Sequence, residues 1–238
     1  MKGLITICAR GGSVGVPKKN IQIINNIPLI AYSINMAEKF AIQYNCDIAL
    51  STDSSEIKTV AENQGLVTNY VRPSYLSTNE VGKIQVIKDI LLFTEKESSI
   101  QYDYILDLDV SSPLRTLEDL IEAFKIFMGD LNCLNLFSVS RANKNPYFNM
   151  VEKNKNGYFS LCKNIGVVNS RQSAPPVYEL NASFYFFKRN YFNSCSLHVI
   201  NSKSLIYELP HICFDIDEQI DLDFFQFLVE NSKLDFTL

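Results

Sequence analysis

The chain has 238 residues, of which 47% are hydrophobic and 20% charged; this composition is typical of a globular protein and excludes a disordered or fibrous one. The 22 Lys and Arg residues against 26 Asp and Glu residues leave a net charge of −4, which disfavours nucleic-acid binding. No apolar run approaches the roughly 18 residues of a membrane span, and the apolar segment at 4–9 is too short for a signal peptide. We therefore expect a single domain, 1–238, in a soluble and cytoplasmic protein with no nucleic-acid or membrane partner.

The predicted elements alternate between strand and helix through the first 140 residues. The hydrophobic pattern predicts strands at 4–8, 47–51, 67–71, 104–109 and 134–140, and helices beginning near Pro28, Asp53, Gly82 and Thr116. Such alternation is typical of βαβ units, a mainly parallel sheet and ligands at the carboxyl ends of its strands. The loops that follow the strands are therefore the expected site.

The pattern changes after residue 140. Residues 143–157 are rich in Asn and Lys, and 158–168 has the pattern of an antiparallel hairpin. We interpret about 141–180 as an inserted flap or dimerisation element. Strands at 182–187 and 205–209, an extended segment at 214–217 and a last helix at 219–230 complete the prediction.

Cysteine and histidine are too sparse for several kinds of site. The six cysteines are at least 18 positions apart, which excludes CxxC redox motifs and zinc knuckles and favours free thiols. Only His198 and His211 are present, so a site of three imidazoles is excluded. Carboxylates and cations must carry any chemistry.

A glycine-rich loop at 9–20 follows the first predicted strand. It contains three glycines and three cations, Gly11, Gly12, Gly15, Arg10, Lys18 and Lys19. The glycines allow backbone N–H groups to approach an anion closely, and the cations concentrate positive charge in an acidic protein. The combination suits a triphosphate, although the loop has neither the P-loop nor the dinucleotide-binding spacing. The alternative is a flexible surface turn, which the position directly after a strand disfavours.

Two pairs of aspartates, each two positions apart, are candidate polar centres. On an extended segment Asp215 and Asp217 point to one face, where two carboxylates suit a magnesium ion. Asp107 and Asp109 end a predicted strand, and an ion pair with Arg115 is the alternative to a functional role. Because two buried like charges are costly, at least one of this pair is expected to have a functional partner.

Three motifs resemble those of the CMP-nonulosonate synthetases, also called acylneuraminate cytidylyltransferases. They are Ala9-Arg10-Gly11-Gly12-Ser13-x-Gly15-x-Pro17-x-Lys19-Asn20, Ser112-Pro113-Leu114-Arg115 and Phe214-Asp215-Ile216-Asp217. The resemblance covers nearly the whole chain and implies an α/β, Rossmann-like nucleotidyltransferase fold with a mainly parallel sheet. It also implies CTP and a nonulosonic acid as substrates, Mg²⁺ as cofactor, and a homodimer whose inserted element helps to close the neighbouring sugar site.

The resemblance also implies a role for individual residues. Those expected to be catalytic are Arg10, Lys19, Asp215 and Asp217, with the two aspartates holding the metal. Those expected to bind the nucleotide are Ala9, Gly11, Gly12, Ser13, Asn20, Arg72 and Asn79. Those expected to bind the sugar are Asp109, Arg171, Gln172, Tyr178, Asn181 and Ser183, although Asp109 could instead approach the metal.

The residues around Asp109 are more similar to the legionaminic acid branch of the family, because the sialic acid members commonly have a glutamine there. The expected function is therefore cytidylyl transfer from CTP to a legionaminic or N-acylneuraminic acid, with release of pyrophosphate. A CMP-Kdo synthetase or another sugar nucleotidyltransferase is an alternative, against which the block 171–183 argues.

One position departs from the family pattern. The family usually has Lys after Gly-Gly-Ser, and this chain has Val14. Lys18 or Lys83 are candidates for supplying the missing charge. The substitution also motivates a third alternative, a catalytically weakened CTP-binding protein.

Overall fold

A six-stranded sheet with helices packed on it forms the centre of the computed structural model, which describes residues 1–193 and 198–238. The strands are β1 (Gly3–Cys8), β2 (Ile23–Ile24), β3 (Ile27–Pro28), β4 (Cys46–Ser51), β5 (Tyr104–Leu108), β6 (Asn135–Arg141), β7 (Val151–Lys153), β8 (Phe159–Leu161), β9 (Tyr178–Lys188) and β10 (Ser204–Glu208). The helices are α1 (Leu29–Tyr44), α2 (Ser55–Asn63), α3 (Lys83–Ser98), α4 (Leu117–Gly129) and α5 (Gln219–Glu230). Within the described ranges, no helix combines the length and apolarity needed to cross a membrane.

The strand order of the central sheet is β10-β6-β9-β5-β1-β4. Strand β1 pairs in parallel with β4 and β5, and β10 pairs in parallel with β6. Strand β9 lies between β5 and β6 and runs antiparallel to both. This arrangement confirms the predicted α/β class with a mainly parallel sheet.

Both faces of the sheet are buried, as expected for a mainly parallel sheet. Alternate residues of β1 point to opposite faces: Ile5 and Ile7 pack with Phe124 of α4, and Leu4 packs with Ile87 of α3. Because the faces are covered, the loops at the carboxyl ends of the strands are where the sheet can bind a ligand.

Two helix starts show how local chemistry fixes the elements. Thr116 caps α4 as predicted, in a capping box with Asp119. Helix α2, predicted to begin near Asp53, is capped by Ser54 and not by Asp53, because the Ser54 side chain accepts the hydrogen bond from the Ile57 N–H. The Asp53 carboxylate instead accepts a hydrogen bond from Gly11 N at 2.8 Å and so holds the glycine loop.

Residues 67–71 do not form the predicted strand. The alternation is correct for burial, since Thr68 and Tyr70 are buried while Val67 and Val71 are exposed. However, the Thr68 hydroxyl donates to the Leu50 carbonyl and accepts from the Tyr70 N–H, so this side chain makes bonds that a neighbouring strand would otherwise supply. The segment 214–217 is likewise irregular, although Ile216 N bonds to Ser111 O at 2.8 Å.

The segment 141–180 contains the connection between β6 and β9, together with the end of β6 and the first residues of β9. It contains the antiparallel pair β7 and β8, somewhat earlier in the chain than the hairpin predicted at 158–168, and a 3₁₀ turn at Arg171–Ser173. Strand β9 also begins earlier than predicted. It is continuous but irregular at Ala182, whose φ of 58° accompanies a register shift against β6.

The cysteines of the described residues are free. Cys133 is buried, and the other four, Cys8, Cys46, Cys162 and Cys213, are half-buried. Cys195 lies outside the described residues. The predicted free thiols are therefore found at five positions, but most of them are less buried than a core residue.

Candidate active site

A pocket of about 360 Å³ lies beyond the carboxyl ends of β1 and β5. It brings together eight of the predicted site residues, Arg10, Ser13, Lys19, Asn20, Arg72, Asn79, Asp109 and Asp217. It also includes residues that sequence reasoning gave no firm site role, among them Cys8, Val14, Gly15, Thr78, Lys83 and Ser111. The place of the pocket agrees with the rule that ligands of parallel sheets bind at the strand ends.

The glycine loop is fixed from behind and packed closely against the segment 214–217. Ala9 is buried, and its N–H donates to Ser51 O at 2.9 Å. A Cβ added to Gly15 would overlap the backbone oxygen of Asp217, whereas one added to Gly12 would meet nothing within 4 Å. Gly15 is therefore required for the approach of the loop to the segment.

Two cations of the glycine loop, Arg10 and Lys19, line the pocket. The Arg10 guanidinium donates to Asn79 Oδ1 at 2.6 Å, and the Asn20 amide donates to Arg10 O at 3.0 Å. The Lys19 ammonium contacts the carbonyl oxygen of Ile216 and lies 3.5 Å from Asp217 Oδ1. Arg10 and Lys19 thus form one positive wall of the pocket.

Two further cations, Lys18 and Arg72, differ in where they lie and in how they are held. Lys18 pairs with Glu56 at 2.7 Å and does not line the pocket. Arg72 is buried, and its guanidinium donates to the hydroxyl and the carbonyl oxygen of Ser51 at 2.9 and 2.8 Å. Arg72 is thus the more firmly fixed of the two and faces the pocket.

The carboxylates of Asp215 and Asp217 have contrasting surroundings. Asp215 Oδ1 is buried with no hydrogen-bond partner, and burial together with the negative charges of Asp109 and Asp217 raises the pKa of Asp215 to about 6. The side chain of Asp217 is 75% exposed. An orphaned buried carboxylate oxygen beside a second carboxylate fits a hard divalent cation.

No group of three or more His, Cys, Asp and Glu residues that could hold a metal ion is found among residues 1–193 and 198–238. A magnesium ion on two carboxylates would take its other ligands from water and from phosphate, which is how this ion is commonly bound. The donor set therefore fits magnesium in the presence of a phosphate substrate.

Lys83 is the partner of the two strand-end aspartates. Its ammonium contacts Asp109 Oδ2 and lies 3.1 Å from Asp107 Oδ2, without hydrogen-bond geometry to the latter. Burial favours the neutral form of Asp109, but the charge of Lys83 and the hydrogen bonds from Lys83 and Ser111 outweigh it and lower the pKa of Asp109 to about 2. Burial likewise opposes the charge on Lys83, yet the two carboxylates raise its pKa well above its ordinary value.

The alternative interpretation, an ion pair between Arg115 and these aspartates, is wrong. Arg115 is buried, and its Nη1 donates to the backbone oxygens of Asp109, Ser112 and Ser183 at 3.0, 2.7 and 2.9 Å. Burial lowers the pKa of Arg115 to about 10. This arginine braces the loop after β5 from beneath through carbonyl groups.

The residues predicted to bind the sugar do not form one group in the chain. Asp109 lines the pocket, whereas Arg171, Gln172 and Tyr178 are exposed on the segment 141–180 and do not line it.

Asn181 and Ser183 are buried and already have protein partners. Asn181 Oδ1 accepts from the Ser138 hydroxyl at 2.6 Å, and the Ser183 hydroxyl donates to Ser112 O at 2.9 Å. Their predicted contact with a sugar stays a prediction.

Ser111 is a pocket residue that sequence reasoning missed. Its N–H and its hydroxyl both donate to Asp109 Oδ1, at 2.9 and 2.8 Å. An Asp followed two positions later by Ser at a strand end is the pattern of an Asx turn, and this signal could have identified the contact. Lys83 was considered only as a possible phosphate cation, and its pairing with β5 has no local sequence signal.

Residues 4–128 match the family model described as cytidylyltransferase. The chain is 37% identical over 231 residues to the CMP-N,N'-diacetyllegionaminic acid synthase of Campylobacter jejuni, covering 97% of this chain and 96% of that protein. The same identity and coverage relate it to the post-translational flagellin modification protein B of Campylobacter coli.

Solved structures agree in fold. A CMP:2-keto-3-deoxy-manno-octonic acid synthetase complexed with CTP superposes with a TM-score of 0.69 over 98% of this chain and 100% of that chain, at 14% identity. At that identity the likeness concerns the fold alone. The family match and the two Campylobacter relatives establish that this chain belongs to the cytidylyltransferase family.

Proposed function

We propose that this chain transfers a cytidylyl group from CTP to a nonulosonic acid, with legionaminic acid as the first candidate, and releases pyrophosphate. The observation that carries the proposal is the pocket itself, where the cations Arg10 and Lys19 converge with Asp109 and Asp217 beyond the strand ends. The 37% identity to a CMP-N,N'-diacetyllegionaminic acid synthase supports the choice of sugar.

The triphosphate would lie along the glycine loop. Arg10 and Lys19 would neutralise the charge that develops on the departing pyrophosphate, which is the main electrostatic task in such a transfer. The backbone at Ala9, Gly11, Gly12 and Ser13, with the side chains of Asn20, Arg72 and Asn79, would hold the rest of the nucleotide. Because Arg72 is fixed by Ser51, it would meet the nucleotide without reorganisation.

Asp215 and Asp217 would hold a magnesium ion, as the orphaned Oδ1 of Asp215 suggests. When bound, this ion supplies Lewis-acid stabilisation of the phosphate charge. The anomeric hydroxyl of the sugar attacks the α-phosphorus in line. Its O–P bond forms as the bond from the α-phosphorus to the pyrophosphate oxygen breaks, and the hydroxyl proton passes to solvent.

The sugar side of the site would be completed by a second copy of the chain. The segment 141–180 exposes apolar side chains, of which Tyr158, Phe159 and Val167 are 74%, 68% and 90% exposed. Exposed apolar groups of this kind favour a subunit contact, and a homodimer would bring Arg171, Gln172 and Tyr178 of one protomer to the pocket of its partner. Asn181 and Ser183 would support this wall through their buried hydrogen bonds. The reaction would take place in the cytoplasm, where CTP is made.

The test is pyrophosphate release from CTP in the presence of magnesium. It is measured in parallel with four acceptor sugars: legionaminic acid, N-acetylneuraminic acid, pseudaminic acid and Kdo. We expect the highest kcat/KM with legionaminic acid and no release when either substrate is omitted. Release with Kdo but with none of the other three sugars would instead support the CMP-Kdo synthetase alternative.

A second candidate function, a catalytically weakened CTP-binding protein, is favoured by Val14, which lines the pocket, is 78% exposed and carries no charge. CTP binding without release of pyrophosphate in the presence of any of the four sugars would support it. The variant Val14→Lys distinguishes an active enzyme from a weakened one. A gain in turnover of about a hundredfold would indicate an impaired site, since the loss of one oxyanion donor has an effect of this size. We expect a gain of less than about threefold, since Arg10 and Lys19 already supply the wall with charge.

A further inference from the structure

Lys83 joins three elements at the floor of the pocket. It is the first residue of α3, its ammonium lies between Asp107 and Asp109 at the end of β5, and the same atom is 4.7 Å from the centre of the Tyr185 ring on β9. Only a quarter of its side chain is exposed. The ammonium therefore already contacts Asp107, Asp109 and Tyr185 in the protein without a ligand.

The charge of this cluster does not suit a phosphate. One ammonium and two carboxylates leave a net charge of −1 on Lys83, Asp107 and Asp109, and a negative cluster repels a phosphate group. Arg10, by contrast, has an amide oxygen as its partner. The phosphate-binding charge thus lies on the glycine loop, and the cluster favours a ligand that donates hydrogen bonds.

The hydrogen bonds of Asp109 leave room for such a donor. A carboxylate offers about four lone-pair positions. Oδ1 accepts from the N–H and the hydroxyl of Ser111, and Oδ2 accepts from Lys83. Three positions are filled, so one position on Oδ2 is left, and Asp109 lines the pocket.

We propose that Lys83 is a positioning residue for the second substrate: by bridging Asp107 and Asp109, it holds the Asp109 carboxylate so that Oδ2 accepts a hydrogen bond from a hydroxyl or acylamino N–H of the sugar. The inference rests on the proposed function. It replaces the interpretation in which Lys83 substitutes for the phosphate-facing lysine that is lost at Val14.

The experiment compares the KM for the sugar, kcat and the calorimetric dissociation constant for CTP among the wild type, Lys83→Met, Lys83→Arg and Asp109→Asn. Losing a hydrogen bond to a charged group raises the sugar KM by about tenfold or more in Lys83→Met and Asp109→Asn. CTP affinity stays within about threefold of the wild type. Lys83→Arg restores part of the loss, because it keeps the cation between the carboxylates. Lys88→Met, on the same helix outside the pocket lining, is the matched control.

A tenfold weaker affinity for CTP in Lys83→Met with an unchanged sugar KM would overturn the inference, since Lys83 would then serve the phosphates. Equal losses of affinity for CTP and for the sugar, together with a lower melting temperature, would overturn the inference in favour of a structural role. Should Lys83→Met not fold, the nearly isosteric Asp109→Asn gives the same readout with Lys83 in place. A wild-type enzyme that uses none of the four sugars contradicts the proposed function instead, and the two failures are therefore distinct.

Discussion

The nucleotide wall, by which we mean the glycine loop with Arg10, Lys19 and Arg72, differs from the segment 141–180 in how its side chains are held. On the wall, Arg72 is buried against Ser51 and Arg10 is bonded to Asn79, so the groups that would meet a nucleotide are positioned within one chain. On the segment, Phe159 and Val167 are largely exposed. Under the proposed function, the nucleotide half of the site would therefore be complete in a monomer, and the sugar half would need a second copy of the chain.

The largest effect is expected at Asp217. The variant Asp217→Asn should lower magnesium-dependent turnover on the order of a hundredfold or more, because it removes one of the two carboxylates that we propose as magnesium ligands. Because the Asp217 side chain is 75% exposed, the melting temperature of the variant should stay close to that of the wild type. The control is Asp223→Asn on α5, where the aspartate accepts a hydrogen bond from Gln219. Unchanged turnover in Asp217→Asn would show that the metal is held elsewhere.

The exposed segment gives the next effect. The double variant Phe159→Ser, Val167→Ser should shift the protein from dimer to monomer in sedimentation velocity and raise the sugar KM by about tenfold, because two apolar contacts worth on the order of 1 to 3 kcal/mol each are lost from the interface. CTP affinity should not change, since the nucleotide wall lies within one chain.

Leu131→Ser is the matched control for this double variant, since Leu131 is 89% exposed but lies outside the segment. If the double variant remains dimeric, or if the wild type is monomeric, the proposal that the segment 141–180 forms a subunit contact is wrong.

Gly15 tests the rigidity of the nucleotide wall. A Cβ here would overlap the Asp217 backbone oxygen, so Gly15→Ala should move the loop from the segment 214–217, lower turnover by about tenfold and destabilise the fold by about 1 to 3 kcal/mol, the usual cost of overpacking. Gly12→Ala has open space and is the control. Equal behaviour of the two variants in turnover and in thermal unfolding would mean that the loop is less constrained than its packing indicates.

The same contrast explains what the sequence could predict. The glycine loop, Thr116 and the carboxyl ends of β1 and β5 were predictable, because strand patterns and capping residues act over a few positions. The pairing of Lys83 with Asp109 was not, because it joins residues 26 positions apart on different elements. Likewise, the local pattern predicts an insertion at 141–180 but contains no information on where a partner's side chains would lie.

The last and smallest effect concerns His211, which precedes the segment 214–217 in the chain. His211 Nε2 lies 2.9 Å from Asp119 Oδ2, His211 Nδ1 lies 3.0 Å from Ile212 O, and the ring stacks on Phe236. Burial disfavours the charged imidazole, but the hydrogen bond to Asp119 outweighs it and raises the pKa of His211 above 6.5. Burial also disfavours the Asp119 anion, yet the hydrogen bonds from His211 and Thr116 lower its pKa below 3.8.

The sign of the pH dependence follows from these two shifts. A histidine whose pKa is raised by folding contributes stability below its unfolded value of 6.5, and this contribution is lost as the pH rises through the folded pKa. Asp119 contributes above 3.8, and that contribution is lost as the pH falls through its lowered pKa. The variant His211→Asn should therefore lower the free energy of unfolding by about 1 to 3 kcal/mol between these two values, and by less at pH 9. Denaturant titrations at pH 5 and pH 9 measure the difference; an equal loss at both would show that the ring acts through stacking on Phe236 rather than through its charge.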